Sequence, residues 1–440
     1  MTTQNHKKLA LLAFLAGAAA GAQAAEETDP ENWAVHGQLT YVAQQHDHFT
    51  SPYQGQNSLE ARGRGEETTD VTLYAGLRLG ANTELWINPE IDQGAGLSNT
   101  IGLAGFSSGE AYKIGSNHPY LRLPRAFVRH VIPLGQETEA VEAAANQLGG
   151  SRTHDNVTIT AGKMSVTDIF DTNSYAHDPR GDFLNWALID AGAFDYAADA
   201  WGFTYGAAVE WTQGDWTARA GVYQLSPEPN GKIVKPDFSQ YMLVAELEQR
   251  YQWSGHPGKI KLLGFANRGR MARYDDAVAL GIAQQAAPDV TLVRRKAWRP
   301  GATVNLEQEV AADLGVFLRA GFNDGSKETY EFTEINRALS GGLSLKGARW
   351  GRPDDTVGVA GIFNTISGDA RNYFAHGGLG LLIGDGTLDY GAEKILEAYY
   401  SAKLCKSASL AFDVQRVNNP AYNRARGPVS IYALRLHAEF

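Results

Sequence analysis

The chain has 440 residues, with 39 lysines and arginines against 49 aspartates and glutamates, a formal charge of −10 at pH 7. That acidic balance argues against nucleic acid as a partner, and a single cysteine, Cys405, excludes an intramolecular disulfide. Past the amino terminus no uninterrupted apolar stretch reaches the roughly 18 residues of a transmembrane helix, so a helical membrane protein is excluded as well.

Lys7 and Lys8 precede an apolar run over residues 9–22, and Ala22, Gln23 and Ala24 place small residues where a signal peptidase reads them. Residues 1–24 are therefore predicted to be a secretory signal peptide and residues 25–440 a single exported domain. Cleavage leaves 37 basic residues against 49 acidic ones, a charge of −12.

The exported part alternates with period two, the signature of strands with one apolar face. Residues 33–42 set Val35, Leu39 and Tyr41 against His36, Gln38 and Thr40. Residues 69–79 set Val71, Leu73, Leu77 and Leu79 against Asp70, Thr72, Tyr74 and Arg78. After a turn at Gly80, Ala81 and Asn82, residues 83–90 set Leu85 and Ile87 against Glu84, Trp86 and Asn88. Further strands are predicted at 124–132, 156–162, 202–212, 215–223, 239–251, 259–268, 300–310, 313–322, 340–347, 356–364, 394–404 and 408–417. The last, 430–440, puts Tyr432, Leu434, Leu436, Ala438 and Phe440 opposite Arg435, His437 and Glu439.

These make about sixteen strands, an even number with one modestly apolar and one charged face, as in an outer-membrane barrel. The expected fold is all-β, a transmembrane antiparallel β-barrel of about sixteen strands with short helices in its loops. A soluble sandwich would crowd its inner faces with Leu, Ile and Phe, whereas Ala, Gly, Tyr and Trp are mixed in here. Trp33, Tyr41, Trp211, Trp216, Tyr251 and Tyr432 lie near strand ends, where aromatic girdles meet the lipid interfaces. Residues 137–148 and 275–287 are Ala-rich with helical spacing and read as short helices inside long connections. Residues 94–109 and 168–196 are long excursions of the size that folds into a pore or covers its mouth.

Many ordered stretches carry a family pattern. They include Gly37-Gln38-Leu39-Thr40, Ser51-Pro52-Tyr53, Gly55-Gln56-Asn57-Ser58-Leu59, Asn88-Pro89-Glu90 and Gly94-Ala95-Gly96-Leu97-Ser98. They continue with Gly162-Lys163-Met164-Ser165-Val166-Thr167-Asp168, Asn173-Ser174-Tyr175-Ala176-His177-Asp178-Pro179-Arg180 and Trp350-Gly351-Arg352-Pro353-Asp354-Asp355. On these the chain resembles the carbohydrate-selective porins of Gram-negative bacteria, the OprB-type family, over essentially all of its mature length. The resemblance implies a sixteen-stranded barrel in the outer membrane through which glucose-like monosaccharides diffuse passively into the periplasm, with no cofactor. The partners expected are monosaccharide solutes and outer-membrane lipid; monomer and homotrimer both remain open. One departure is Pro124, within Leu123-Pro124-Arg125-Ala126-Phe127, where such porins commonly run straight into the strand; it leaves the exact start of that strand open.

A sugar presents hydroxyls at its edge and C–H groups on its faces, so a selective channel needs charged hydrogen-bonding groups beside aromatic surfaces. With the apolar faces toward lipid, parity places Asp70, Tyr74, Arg78, Glu84, Trp86, Glu90, Arg125, Arg129, Glu210 and Arg219 in the lumen. Arg78, Glu84, Arg125 and Arg129 are expected to contact sugar hydroxyls, with Trp86 and Tyr74 as stacking surfaces. The alternative for each is a wall charge that pairs with its neighbours. Asp168, Asp171, Asn173, Asp178 and Arg180 are read as groups that hold their own loop without touching solute. Enzymes fare worse: Glu246 and Glu248, two apart on one strand, flank no bond, and no G-x-S-x-G elbow occurs. His46-Asp47-His48 lacks a third metal ligand. A plugged transporter would need an amino-terminal domain that a few residues cannot supply.

Overall fold

A computed structural model describes residues 30–111 and 115–440 of the chain; the signal peptide expected at 1–24 lies outside the described residues. The strands are β1 Trp33–His46, β2 Gly65–Gly80, β3 Thr83–Gly94, β4 Ser116–Pro133, β5 Thr138–Val141, β6 Gly150–Thr153, β7 Asn156–Met164, β8 Thr204–Gln213 and β9 Trp216–Gln224. They continue with β10 Tyr241–Trp253, β11 His256–Met271, β12 Arg295–Ala311, β13 Leu314–Asn323, β14 Arg337–Lys346, β15 Thr356–Thr365, β16 Glu393–Cys405, β17 Ala408–Asn418 and β18 Val429–Glu439. All but β5 and β6 close one antiparallel barrel in sequence order, and those two form a separate hairpin. The sixteen barrel strands are those the alternation predicts.

The barrel closes where β18 pairs with β1, with Thr40 opposite His437 and Leu39 opposite Ala438. Phe440 exchanges backbone hydrogen bonds with Gly37 at 2.7 and 2.9 Å, and a Cβ on Gly37 would collide with the Phe440 ring. Two-residue turns such as 254–255 join strands at the end where β1 begins and β18 ends, the turn side. Ser254 and Gly255 both have positive φ, 53° and 82°, the geometry of the tight turn that matches strand twist. Apart from the connection between β4 and β7 that carries β5 and β6, the long connections gather at the opposite end, the loop side.

Outward parity is apolar and exposed: Leu73, Leu77, Val209, Leu243, Leu262, Val304, Leu318, Leu339, Phe363, Leu396, Phe412 and Leu434 face away from the barrel. Trp33, Trp211, Trp216 and Trp253 stand exposed at turn-side strand ends, as a girdle requires. On β18 Leu434 is exposed while its neighbours Ala433 and Arg435 are buried. Leu434→Arg is expected to destabilise the barrel by about 2–4 kcal/mol, read from urea unfolding in lipid vesicles; Arg435→Leu, on the other face, would not add that lipid cost.

Two expectations are corrected. Residues 137–148 form no helix: β5 pairs with β6, Ala144 bridges Gln147, and Asn146 adopts φ 59°, which breaks a helical turn. Pairing and anchorage on the barrel mouth override the alanine propensity. Strand β4 begins at Ser116 rather than near Pro124, and Pro124 sits in a bulge where Asn88 faces Arg125 but Glu90 faces Arg122. The other helix expectation stands, with a helix over Tyr274–Gln284 that ends on Gln285 in left-handed conformation.

Candidate functional site

The lumen is largely filled by loops. The connection from β7 to β8 is almost wholly buried, with Phe170, Phe183, Leu184, Ala187, Leu188, Phe194, Ala197 and Ala198 all inaccessible to solvent. Its backbone polar groups need partners once inside, and the charged inner wall supplies them. Glu397 accepts from Leu184 N and Asn185 N at 2.5 and 3.1 Å. Glu246 accepts from Asp171 N at 2.8 Å. Arg319 donates to the carbonyls of Ala176, Leu188 and Asp171 and to the Asp171 carboxylate. Arg435 donates to the carbonyls of Pro179, Asp182 and Gly181. The loop after β3 is held likewise, Ala104 N and Gly105 N donating to Glu393 at 3.0 and 2.7 Å.

Between the inward loops and β4, among the described residues, lies a cavity of about 240 Å³ lined by Arg122, Arg125 and Arg180 and by Phe106, Trp186, Tyr196 and Phe332, among others. Its aromatic side is a stack built from three different loops. Trp186 lies 5.3 Å from Phe106 and 5.3 Å from Phe332, with interplanar angles of 24° and 29°, and Tyr196 meets Phe332 at 4.4 Å. Asn185 caps the short turn of helix that presents Trp186, accepting from Ala187 N.

The basic side faces that stack. Arg125 forms a two-point pair with Asp168 at 2.8 and 2.6 Å and lies over Phe203 at 4.8 Å. Arg122 pairs with both Glu90 and Asp92 and also covers Phe203, at 5.0 Å. Arg180 lies 3.5 Å from Glu110 and 3.6 Å from Asp70, and its buried Nε has no hydrogen-bond partner. The three cations are thus matched by carboxylates, so the cavity carries no strong net field.

Five of the six expected sugar contacts separate into two places, and the sixth, Tyr74, is buried on β2. Arg125 lines the cavity. Arg78, Glu84, Trp86 and Arg129 lie at the turn-side mouth, engaged with the β5–β6 excursion. Arg78 donates to the carbonyls of Glu31 and Gly149 at 2.7 and 3.1 Å, and Arg129 to the Asn146 carbonyl at 2.7 Å. Glu84 lies 3.6 Å from Arg129 and accepts from the Trp86 indole at 3.0 Å. Trp86 is completely buried and Tyr74 nearly so. Among residues read as loop-holding, Asp171 and Asn173 do hold the loop, bonding Asn305 at 2.8 Å each. Asp168, Asp178 and Arg180 line the cavity.

Arg122 escapes strict parity because the bulge at Pro124 restores it to the inner face three residues from Arg125. A proline inside an otherwise alternating strand is the available signal. Arg180 and the aromatic stack come from loops, where no periodicity marks a direction.

Asp190 also borders the cavity, 3.0 Å from the Tyr196 hydroxyl and 3.8 Å from His177. Burial, with the Asp171 carboxylate nearby, pushes the Asp190 carboxyl up from its ordinary 3.8 to about 7, against the pull of Arg319. Burial and Arg319 push His177 down. A carboxyl raised on folding contributes stability that is full below about pH 4 and lost as pH rises through about 7. Open-channel noise from the inward loop is therefore expected to grow between pH 5 and 8 in the native protein and to stay flat in Asp190→Asn. Equal pH profiles would exclude Asp190 as the titrating group.

Among curated proteins none matches the sequence. In fold the chain is similar to OprB of Pseudomonas putida, with a TM-score of 0.70 at 15% identity over 93% of this chain and 94% of that one. It is similar also to the outer membrane channel DcaP of Acinetobacter baumannii, with a TM-score of 0.51 at 10% identity over 95% and 100% of the two chains. The family model for carbohydrate-selective porins, OprB family, matches residues 56–440. A closed sixteen-stranded barrel, a constricted charged lumen and that match place the chain in the OprB family of carbohydrate-selective porins, channels rather than enzymes.

Proposed function

We propose that the protein lies in the outer membrane of a Gram-negative bacterium and passes neutral, glucose-like monosaccharides into the periplasm by passive diffusion. The observation that carries this reading is the cavity between the inward loops and β4, with guanidinium donors of Arg122, Arg125 and Arg180 on one side and the Phe106, Trp186 and Phe332 stack on the other. Donors suit the hydroxyl edge of a pyranose, and flat rings suit its C–H face. Binding spread over a few such contacts stays weak enough for release, as conduction requires. Carboxylates beside each arginine favour a neutral solute over an anion. Arg78, Glu84 and Arg129 form a charged row across β2, β3 and β4 past which the sugar leaves on the turn side, with Trp86 as the packed wall beside it.

Liposome swelling tests the reading. Glucose is expected to enter proteoliposomes faster than a disaccharide and faster than the size difference alone predicts. Rates that follow solute size only would leave a general diffusion pore instead. Export is proposed to remove residues 1–24, so the mature protein should begin at Ala25, which amino-terminal sequencing reads directly.

A further inference from the structure

Most arginines and lysines of the inner wall are paired with carboxylates; those on one part of the outer wall are not. Arg268 and Arg270 on β11, Lys296 on β12, Arg337 on β14, Lys394 on β16 and Arg416 on β17 all lie near the loop-side ends of their strands. They share the outward parity of exposed Leu262, Trp298, Leu339, Leu396 and Phe412 on the same strands. Across β11 and β12 the register sets Lys296 directly opposite Arg270 and Trp298 opposite Arg268. Two like charges facing each other across a strand pair are destabilising unless an anion joins them.

Among the described residues none of these six cations forms an ion pair, whereas outward Arg349 and Arg352 on the turn side pair with Asp313 and Asp355. The contacts they do make are with rings and neutral oxygens. Arg268 lies over Trp298 at 5.5 Å, Lys394 over Phe363 at 5.8 Å, and Arg416 donates to the Ser430 hydroxyl at 2.6 Å. Cations on a lipid-facing surface are tolerated at the interface and costly at mid-depth. Their confinement to strand ends on one side therefore places them at headgroup level.

We propose that this arc binds phosphate-bearing headgroups of the lipid leaflet on the loop side, with Arg268, Arg270 and Lys296 as its strongest point. The occupant follows from position and charge. A lipid headgroup reaches outward side chains that stand directly above an apolar wall. Guanidinium forks match phosphate oxygens in pairs. A protein of net charge −10 offers no general attraction for anions, so retention of an anionic lipid would have to come from this local cluster. A multiply charged phosphate also relieves the repulsion between Arg270 and Lys296. The proposal rests on the lipid-facing assignment of the outer wall and is independent of what passes through the lumen.

Native mass spectrometry of the full chain in detergent tests it. The probes are a bis-phosphorylated diglucosamine lipid, the same lipid with both phosphates removed, and phosphatidylcholine. The native protein is expected to retain the phosphorylated lipid at least tenfold more strongly than either control, and Arg268→Gln/Arg270→Gln/Lys296→Gln to lose that preference. Inorganic phosphate at the same concentration is expected not to displace the lipid. Equal retention of the dephosphorylated lipid would overturn the proposal, as would displacement by inorganic phosphate. The comparison of lipids on the native protein decides the matter even where the triple variant does not assemble, and an assembled variant with undiminished retention also overturns it.

Discussion

Arg319→Ala is expected to raise single-channel conductance several-fold and to abolish sugar preference while the barrel itself still assembles. Arg319 is almost fully buried on the inner wall. It bonds the Asp171 carboxylate at 3.2 Å and three loop carbonyls at 2.6–2.9 Å. Removing it strands the buried Asp171 charge and frees those carbonyls, a loss of about 3–5 kcal/mol. The cost falls on the loop rather than on the strand ladder, because the backbone bonds of β13 do not involve the side chain. A loop released from the wall no longer holds Trp186 against Phe106 and Phe332, so the constriction opens. Heat-modifiability on gels reports barrel assembly, and bilayer recordings report conductance. An assembled variant with native conductance would show that the loop is held elsewhere.

The second large effect is expected from the Arg125–Asp168 pair. Arg125→Ala alone leaves Asp168 unpaired in the cavity and mixes two effects. Arg125→Ala/Asp168→Ala removes both charges and isolates the lost hydrogen-bond donors. Charge-assisted hydrogen bonds contribute about 1.5–3 kcal/mol each, so glucose affinity within the channel should fall by roughly tenfold to a hundredfold. Ion conductance should change far less, since one cation and one anion leave together. Current-noise analysis at graded glucose concentrations separates the two. A double variant with unchanged glucose affinity would shift the contact to Arg122 and Arg180.

The barrel was legible in the sequence because its physics repeats. Each strand must show lipid one apolar face, and Leu434 beside Arg435 or Ile87 beside Trp86 announces that requirement every second residue. The site was less legible because parity reports direction and not occupancy. Glu246, Arg319, Glu393 and Glu397 all point inward, and all are spent on backbone groups of loops that no periodic pattern places there. Arg125 was reachable by parity, whereas Arg122 was hidden by a bulge that adds one residue to its strand. The stack of Phe106, Trp186 and Phe332 joins residues far apart in sequence through the packing of three loops, an arrangement set by tertiary contact alone. Residues 137–148 show the opposite error, a helical composition overruled by pairing of β5 with β6 and by Arg129 at the mouth.

The central claim is that a guanidinium wall and an aromatic stack make this lumen a weak binding site for a neutral monosaccharide. Single-channel recording in planar bilayers, with glucose added to one side, tests it most directly. The expected result is an ion current that millimolar glucose reduces in a saturable manner while an equal concentration of a neutral polyol of similar size does not. A current indifferent to glucose, or reduced equally by both solutes, would contradict it.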